Sequence, residues 1–457
     1  MTVATLSHTR VHPLLPTVGA DQRVPLVTGH TTRFVNLDVA ASAPALSAVN
    51  DRVQQALAWY SSVHRGAGYL SQVSTSAYES ARESVRDFVG GRPEDVVVFT
   101  RNTTDSLNLL AGAVPAGAAV LVLDIEHHAN LLPWRRSRLT TLPAAPTLAG
   151  TLASIEAELS RVRYALLAVT GLSNVTGESL PIRQLAALAH RHGARIAVDG
   201  AQLVPHHRVS VADLGVDYLA FSGHKLYAPF GAGVLIGRRD WLDAAPPYLS
   251  GGGAVREVST GEVEWAASPE RHEAGSPNVL GALALGAACH ALAALDSPAV
   301  AEHERGLYRQ LVDGLAGIEG LRVCRIWPDS EDPTGIVTFT IEGYPPSLIA
   351  SVLSAEHGIG VRDGRFCAHP LLARLKLADG AVRVSLGLHS RSSDVDRLVA
   401  ALTALRANGP GWSYRNHNGR YLAAADPRRL PEFLGGGRLD STEGAGSAPC
   451  QPAADQR

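Results

Sequence analysis

Lys225 stands where lysines are uncommon. It lies in the run SGHKLYAPFGAG, residues 222–233, directly after the strand-like DYLAFS and among small and apolar neighbours. Withdrawal from water at such a place disfavours the ammonium and leaves a nucleophilic amine able to form a Schiff base with an aldehyde. Viewed alone, the segment could equally hold a lysine at a strand end with its charge in solvent. Asp199 closes the run RIAVD, and in an open α/β sheet its carboxylate then sits at the carboxyl edge, where ligands bind. A carboxylate facing a pyridine nitrogen keeps that ring protonated and electron-withdrawing, although an Asp taken alone here reads more readily as the cap of a helix or turn. Gln202, three positions on, could donate to a phenolic oxygen of the same ring.

Thr103 and Thr104 lie where VVVFT passes into a helical pattern, so their hydroxyls and the open backbone N–H groups could hold a phosphate or simply cap the helix. Ser222 and His224, close to the lysine, offer two further phosphate donors. His127, in EHHAN after another strand, has a face that could stack on a cofactor ring and a nitrogen that titrates near neutrality. Each candidate follows a strand of the same expected sheet, so together they supply amine, anion, phosphate donors and stacking surface. Pyridoxal 5′-phosphate fits that set better than a nucleotide, because no GxGxxG or P-loop follows a strand.

The elements that must position these groups are legible as alternating patterns. VVVFT (96–100), AVLVLD (119–124), YALLAVT (164–170), RIAVD (195–199), DYLAFS (217–222) and AGVLIG (232–237) are short apolar runs, several followed by amphipathic segments such as TTDSLNLLAGA, HANLLPWRR and PIRQLAALAHRHG. Alternation of that kind predicts an α/β fold with a mainly parallel sheet covered by helices. Beyond the Gly-rich SGGGA (250–254), an Ala-rich helix is expected at 281–295 and another at 299–318. LRVCRI, GIVTFTI, PSLIASVLSAE, AVRVSL and SSDVDRLVAALTALR then read as a smaller α+β domain. The expected organisation is an N-terminal arm with little structure of its own (1–34), a large domain (35–297), a small C-terminal domain (298–407) and a tail (408–457). In the tail an Asn-Gly pair signals a hairpin, and a Gly/Ser/Ala/Pro end should be disordered.

Composition narrows the partners. With 41 Lys and Arg against 43 Asp and Glu, the formal charge is -2, which leaves no cationic excess to neutralise a polyphosphate; a nucleic-acid partner is not expected, and a small ligand is. Four cysteines, at 289, 324, 367 and 450, are too scattered for a disulfide framework or a CxxC metal site, so a reducing, cytoplasmic compartment without a bound metal is expected. The first twenty residues lack the basic start and apolar stretch of a secretion signal. GALALGAACHALAAL is short and contains His290, so it reads as core and no membrane span is expected.

The ordered motifs LDVAASA, VHRGAGYLS, FTRNTTDSLNLL, EHHANLLPW, SNVTGE, VDGAQ, FSGHKLY, HEAGSPN and RDGRFCAHPL resemble the class V aminotransferase-fold pyridoxal phosphate enzymes, within them the cysteine desulfurase and selenocysteine lyase branch, from about Asn36 to Arg406. The resemblance implies fold type I, with Lys225 as Schiff-base lysine, Asp199 as pyridinium partner, Gln202 as ring-oxygen donor and His127 as stacking residue. It further implies phosphate ligation by Thr103, Thr104, Ser222 and His224, with Ser276 reaching the neighbouring subunit of a homodimer. Asn174 and Arg383 match positions that hold the substrate carboxylate, and His64 and Arg362 line the same pocket. An amino acid is then the substrate. In a desulfurase, Cys367 takes the sulfur as a persulfide, alanine leaves, and a sulfur-acceptor protein or small thiol follows.

Cys289 and Cys324 lie on apolar runs and read as small core hydrophobes. Cys367 sits instead in the polar DGRFCAHP, where Arg362 and Arg365 would favour its thiolate. The chain departs from the family pattern at this loop: Arg365 and Phe366 stand where histidines are common, and Asp363 stands where Thr is usual. If the family's histidine acts as an acid there, His369 or water must replace it. After Arg383, His389 and Ser390 stand where Tyr and Asn are common. These departures touch the substrate pocket, so a different reaction on the same cofactor, such as carbon-sulfur lysis of a cysteine conjugate, transamination or epimerisation, is the alternative.

Overall fold

The computed structural model describes residues 9–229, 232–331 and 333–439. Its centre is a seven-stranded sheet. Taking the strands across the sheet, the order is Val96–Thr100, Gly233–Gly237, Tyr218–Ser222, Arg195–Asp199, Leu166–Thr170, Ala119–Leu123 and Arg138–Leu142. All run in one direction except Gly233–Gly237, which is antiparallel to both of its neighbours. Strands 119–123, 166–170 and 218–222 are buried along their whole length, as expected when helices cover both faces.

The register fixes where chemistry can occur. Gly233 pairs with Thr100 on one side and Ser222 on the other, so the reversed strand starts at the edge where the parallel ones end. A side chain at Gly233 would come within 2.5 Å of Asn102 Cα. Its absence lets the loop after Thr100 close over this edge.

A second, four-stranded antiparallel sheet runs Leu321–Val323, Ile336–Ile341, Ala381–Ser385, Arg362–Gly364. It packs, through its own apolar cluster, against the helices Ser297–Ala316, Pro346–His357 and Ser392–Asn408. Val35–Asn36 pairs in parallel with Ile359–Gly360, and Asp38 bridges to Ser385. These residues, expected in the large domain, therefore pair with the smaller unit.

Differences from the sequence reading have local causes. The arm before residue 35 has structure: Arg23–Pro25 and Thr31–Arg33 pair across a turn at Gly29, whose φ of 84° favours glycine. HANLLPWRR breaks into two short pieces, a helix at His128–Leu131 and a tighter turn at Pro133–Arg136, because Pro133 cannot continue the helix. Val279–Ala293 is a helix with nine of its fifteen residues buried, packed on Tyr69–Phe88 and Ser47–Leu57. Among the described residues no single helix is long and apolar enough to cross a membrane. The tail forms a hairpin, Tyr414–His417 with Arg420–Ala423, turning at Asn418 and Gly419 with φ of 51° and 81°. It is held on the helix 346–357 by Tyr414 donating to Glu356 (2.8 Å) and Tyr421 N donating to Ser347 (3.0 Å). The Gly/Ser/Ala/Pro end and Cys450 lie outside the described residues.

Candidate active site

The loops at the carboxyl ends of the parallel strands enclose a cavity of about 230 Å³. Thr103, Thr104, His127, Asn174, Asp199, Gln202, Ser222, His224 and Lys225 all line it, although they span more than a hundred positions of sequence.

One end suits an anion. Asn102 caps the helix Thr103–Ala113 by accepting from Asp105 N at 3.0 Å. Thr103 N donates to Ser222 Oγ at 2.7 Å, and the two hydroxyl oxygens lie 2.6 Å apart. The hydroxyls of Thr103, Thr104 and Ser222 and the positive end of the helix converge here. His224 is nearby, its Nδ1 3.4 Å from Ser42 Oγ.

Asp199 lies deeper. Its carboxylate is buried and accepts from Ala201 N at 3.0 Å. Burial raises its proton affinity, against the opposing pull of that N–H and of Lys225. Such a carboxylate gains by sharing a proton with a protonated ring nitrogen. Gln202 donates one amide hydrogen to Ala40 O (2.7 Å), and its amide carries a second.

Lys225 follows Ser222 on a short turn. Burial drives its pKa down to about 8; Asp199, Cys367 and Asp38 favour the ammonium, while Arg383 opposes it. A usable fraction is therefore the free amine near neutral pH. His127 is neutral, pushed down to about 3 by burial first and then by Lys225. Its Nδ1 accepts from Ala129 N at 3.0 Å, which places the proton of the neutral ring on Nε2. The rest of EHHANLLPW is the ring's scaffold: Asn130 Nδ2 donates to Glu126 (2.7 Å), and Trp134 Nε1 donates to Asn130 O (2.8 Å).

The smaller unit sets a cation against one of the cavity's lining residues, Asn174. Arg383 is buried, donating to Asn174 O (2.9 Å) and to Asp38 Oδ1 (2.9 Å), while its Nε has no partner among the described residues. Arg362 pairs with it in register across the antiparallel ladder, so the two side chains share a face of the sheet. Like charges so placed repel, and an incoming carboxylate relieves that repulsion. Asp38 was not singled out from the sequence; nothing in LDVAASA marks it until the strand pairing at Ser385 carries it beside Arg383.

Cys367 lies on a pinned loop. Phe366 and Cys367 both have positive φ, 53° and 54°, each costing a non-glycine residue about 1 kcal/mol or more. Asn174 Nδ2 donates to Phe366 O (2.9 Å) and His128 N donates to Cys367 O (2.8 Å), which holds them there. Phe366 is buried beneath Arg383, 5.4 Å from the guanidinium carbon to the ring centre. Cys289 and Cys324 are buried with their thiols pushed up, which suits core packing.

Arg362, Arg383 and Cys367 adjoin the cavity without being among the residues that line it, and two further candidates lie elsewhere in the single chain. His64 is half exposed, with Nε2 3.0 Å from Glu79. Ser276 is exposed on the loop before Val279–Ala293.

An aldehyde-reactive amine, a buried acid for a ring nitrogen and an anion-binding helix end around one cavity match the reactive carbonyl, pyridine and phosphate of pyridoxal phosphate. Residues 35–398 match the family model described as aminotransferase class-V. The chain belongs to that family, whose cofactor is pyridoxal 5′-phosphate, and is an enzyme of fold type I. Within it, the chain is 38% identical over 356 residues to a cysteine desulfurase of Klebsiella pneumoniae, covering 75% of this chain and 86% of the relative. It is 36% identical over 381 residues to a probable cysteine desulfurase of Vibrio cholerae, covering 81% and 93%. Its structure is similar to that of the cysteine desulfurase CsdA of Escherichia coli, with TM-score 0.72, 35% identity and coverage of 81% of this chain and 94% of that one. It is also similar to an apo cysteine desulfurase from Thermococcus onnurineus, with TM-score 0.76, 32% identity and coverage of 82% and 95%.

Proposed function

We propose that the chain is a cysteine desulfurase: it removes sulfur from L-cysteine as a persulfide on Cys367 and releases L-alanine. The observation that carries this reading is the loop of Cys367, pinned through two backbone carbonyls and within electrostatic range of both Lys225 and Arg383. The desulfurase relatives support it. Bound pyridoxal phosphate supplies the electron sink that makes the substrate's α-proton acidic. Thr103, Thr104, Ser222 and His224 would hold its phosphate, Asp199 and Gln202 its ring atoms, and His127 its face.

The remaining work falls to the chain's own groups. Arg383, with Arg362 beside it and Asn174 beneath it, takes the substrate carboxylate and fixes the amino acid's orientation. Lys225 would hold the cofactor and, as a free amine, would take the substrate's α-proton; an amine of pKa about 8 is matched to that task near neutral pH. Cys367 then attacks the substrate sulfur. His64, bonded to Glu79, carries no step in this reading.

The functional unit is a homodimer in which the exposed Ser276 reaches the phosphate of the neighbouring subunit. Exposed aromatic rings support it: Trp59 and Tyr60 are each 52% exposed and Tyr69 is 70%, apolar surface suited to burial by a second copy. The reaction needs a reduced thiol, which fits a cytoplasmic setting, and its persulfide needs an acceptor protein or small thiol.

The test is product analysis with L-cysteine and a reductant. Alanine and sulfide should form, and Cys367→Ala should abolish both while keeping the yellow cofactor absorbance. Pyruvate and ammonia formed without need of Cys367 would establish the lyase alternative instead.

A further inference from the structure

His64 and Ser276, the two candidates that a single chain leaves away from the cavity, are joined by one polar network. His64 Nε2 lies 3.0 Å from Glu79 Oε1, and Glu79 Oε2 accepts from Arg82 Nε at 2.9 Å. Arg82 then donates to both carboxylate oxygens of Glu273, at 2.8 and 2.9 Å, three residues before Ser276. Glu273 also accepts from Tyr78 Oη (2.9 Å) and Phe99 N (2.6 Å), and the guanidinium of Arg82 lies 5.0 Å from the centres of both aromatic rings. The Arg82 and Glu273 side chains are only 13% and 7% exposed, so either charge left alone would be costly and the pair holds its geometry.

A second tie comes from the residue after His64. Arg65 Nη2 donates to Gly252 O (2.8 Å) and to Gly275 O (3.0 Å), and Gly275 N donates to Gly252 O (2.8 Å). Gly275 has a φ of 90°, which glycine adopts without strain. Beyond Ser276, Asn278 caps the helix Val279–Ala293 by accepting from Gly281 N at 2.9 Å. The loop is therefore fixed before and after Ser276, while Ser276 itself is exposed. Rigidly held loops with exposed polar tips are where proteins place binding groups. The anion-suited end of the cavity has the complementary feature: Asn102 and Thr104 line it and are exposed, so in a single chain that end opens to solvent.

We propose that Arg82, Glu273 and Arg65 are positioning residues that act in trans: they fix the loop from Glu273 to Asn278 so that Ser276 of one protomer closes the phosphate end of the other's cavity. The inference rests on the homodimer reading. Its rival is an effect within one chain, because Phe99, whose N–H Glu273 holds, lies on the strand that leads into Thr103 and Thr104. Arg65 separates the two. It pins the same loop through Gly275 and makes its hydrogen bonds to Gly252 and Gly275 alone, none of them to that strand.

The test uses full-length chains titrated with pyridoxal phosphate. Arg65→Ala, Glu273→Gln and Ser276→Ala are each prepared as homodimers and, with two affinity tags, as mixed dimers with Lys225→Met. Cofactor binding is read from the yellow absorbance, which needs Lys225. In each homodimer both sites face an altered loop, and the cofactor Kd should rise about tenfold, the effect of losing one hydrogen bond to a charged group. In each mixed dimer the one remaining Lys225 belongs to the variant chain but faces the intact loop of Lys225→Met, so its Kd should return to within about twofold of the wild type. Arg65→Lys, which keeps a donor, should lose less than Arg65→Ala. A mixed dimer that binds as weakly as the variant homodimer places the defect within one chain and overturns the inference; so does binding at the wild-type level by Arg65→Ala or Ser276→Ala. If Glu273→Gln does not fold, Arg65→Ala, an exposed change, decides. A loaded wild type that sediments as a monomer sinks the homodimer reading itself, whereas a stable dimer whose defect stays within one chain sinks only this inference.

Discussion

A charged amine without its cofactor should burden the fold, and the burden can be sized. Lys225 has its pKa moved from 10.5 to about 8, mainly by burial. At ~1.4 kcal/mol per tenfold change in proton affinity, holding the ammonium in the folded chain costs on the order of 3 kcal/mol. The sign follows from proton counting: between about pH 8 and 10.5 the unfolded lysine binds more protons than the folded one, so stability rises with pH across that window. Below about pH 8 the penalty is complete. Lys225→Met keeps the length and apolar stem while removing the charge. The cofactor-free variant should therefore unfold at a higher urea concentration than the cofactor-free wild type at pH 7. The gap should close as pH approaches 10.5. Losing the attraction between Lys225 and Asp199 trims the gain without reversing it. Equal midpoints at both pH values, or a wild type more stable at pH 7, would refute the claim that this amine is desolvated.

Other consequences are as direct. Asp199→Asn keeps the shape but not the charge under the ring nitrogen, so alanine formation should fall by at least about a hundredfold while the cofactor stays bound; steady-state kinetics with absorbance spectra check both halves. Arg383→Lys loses the planar fork and should raise KM for cysteine by about tenfold or more, measurable in the same assay. Glu178 accepts from Ile326 N (2.6 Å), Trp327 N (3.0 Å) and Ser330 Oγ (2.6 Å) while nearly fully buried. Glu178→Gln should destabilise by about 2–3 kcal/mol, seen in denaturant unfolding, with activity per folded molecule unchanged.

What the sequence made legible was what continuous burial writes into it. Runs such as AVLVL and RIAVD are apolar because helices cover both faces of the sheet, and the strands lie where those runs stand. Arg138–Leu142 escaped notice because it is an edge strand, RLTTL, with half-exposed threonines and one paired neighbour. The reversal of Gly233–Gly237 was invisible, since a buried apolar run looks the same in either direction. In the site, Lys225, Asp199, Thr103 and His127 could be found because each follows a strand. Asp38 could not, because its role comes from a bridge to Ser385, more than three hundred residues away. DGRFCAHP read as one polar loop, yet its first residues continue the strand Arg362–Gly364 and Phe366 is buried, a pairing with Arg383's strand that local composition does not record.

The most direct measurement is where the cofactor attaches. Borohydride reduction of the loaded protein, followed by proteolysis and mass mapping, should place a single pyridoxyl adduct on the peptide containing Lys225, and none in Lys225→Met. An adduct on another lysine, or no adduct in a protein that still turns over cysteine, would contradict the account at its root.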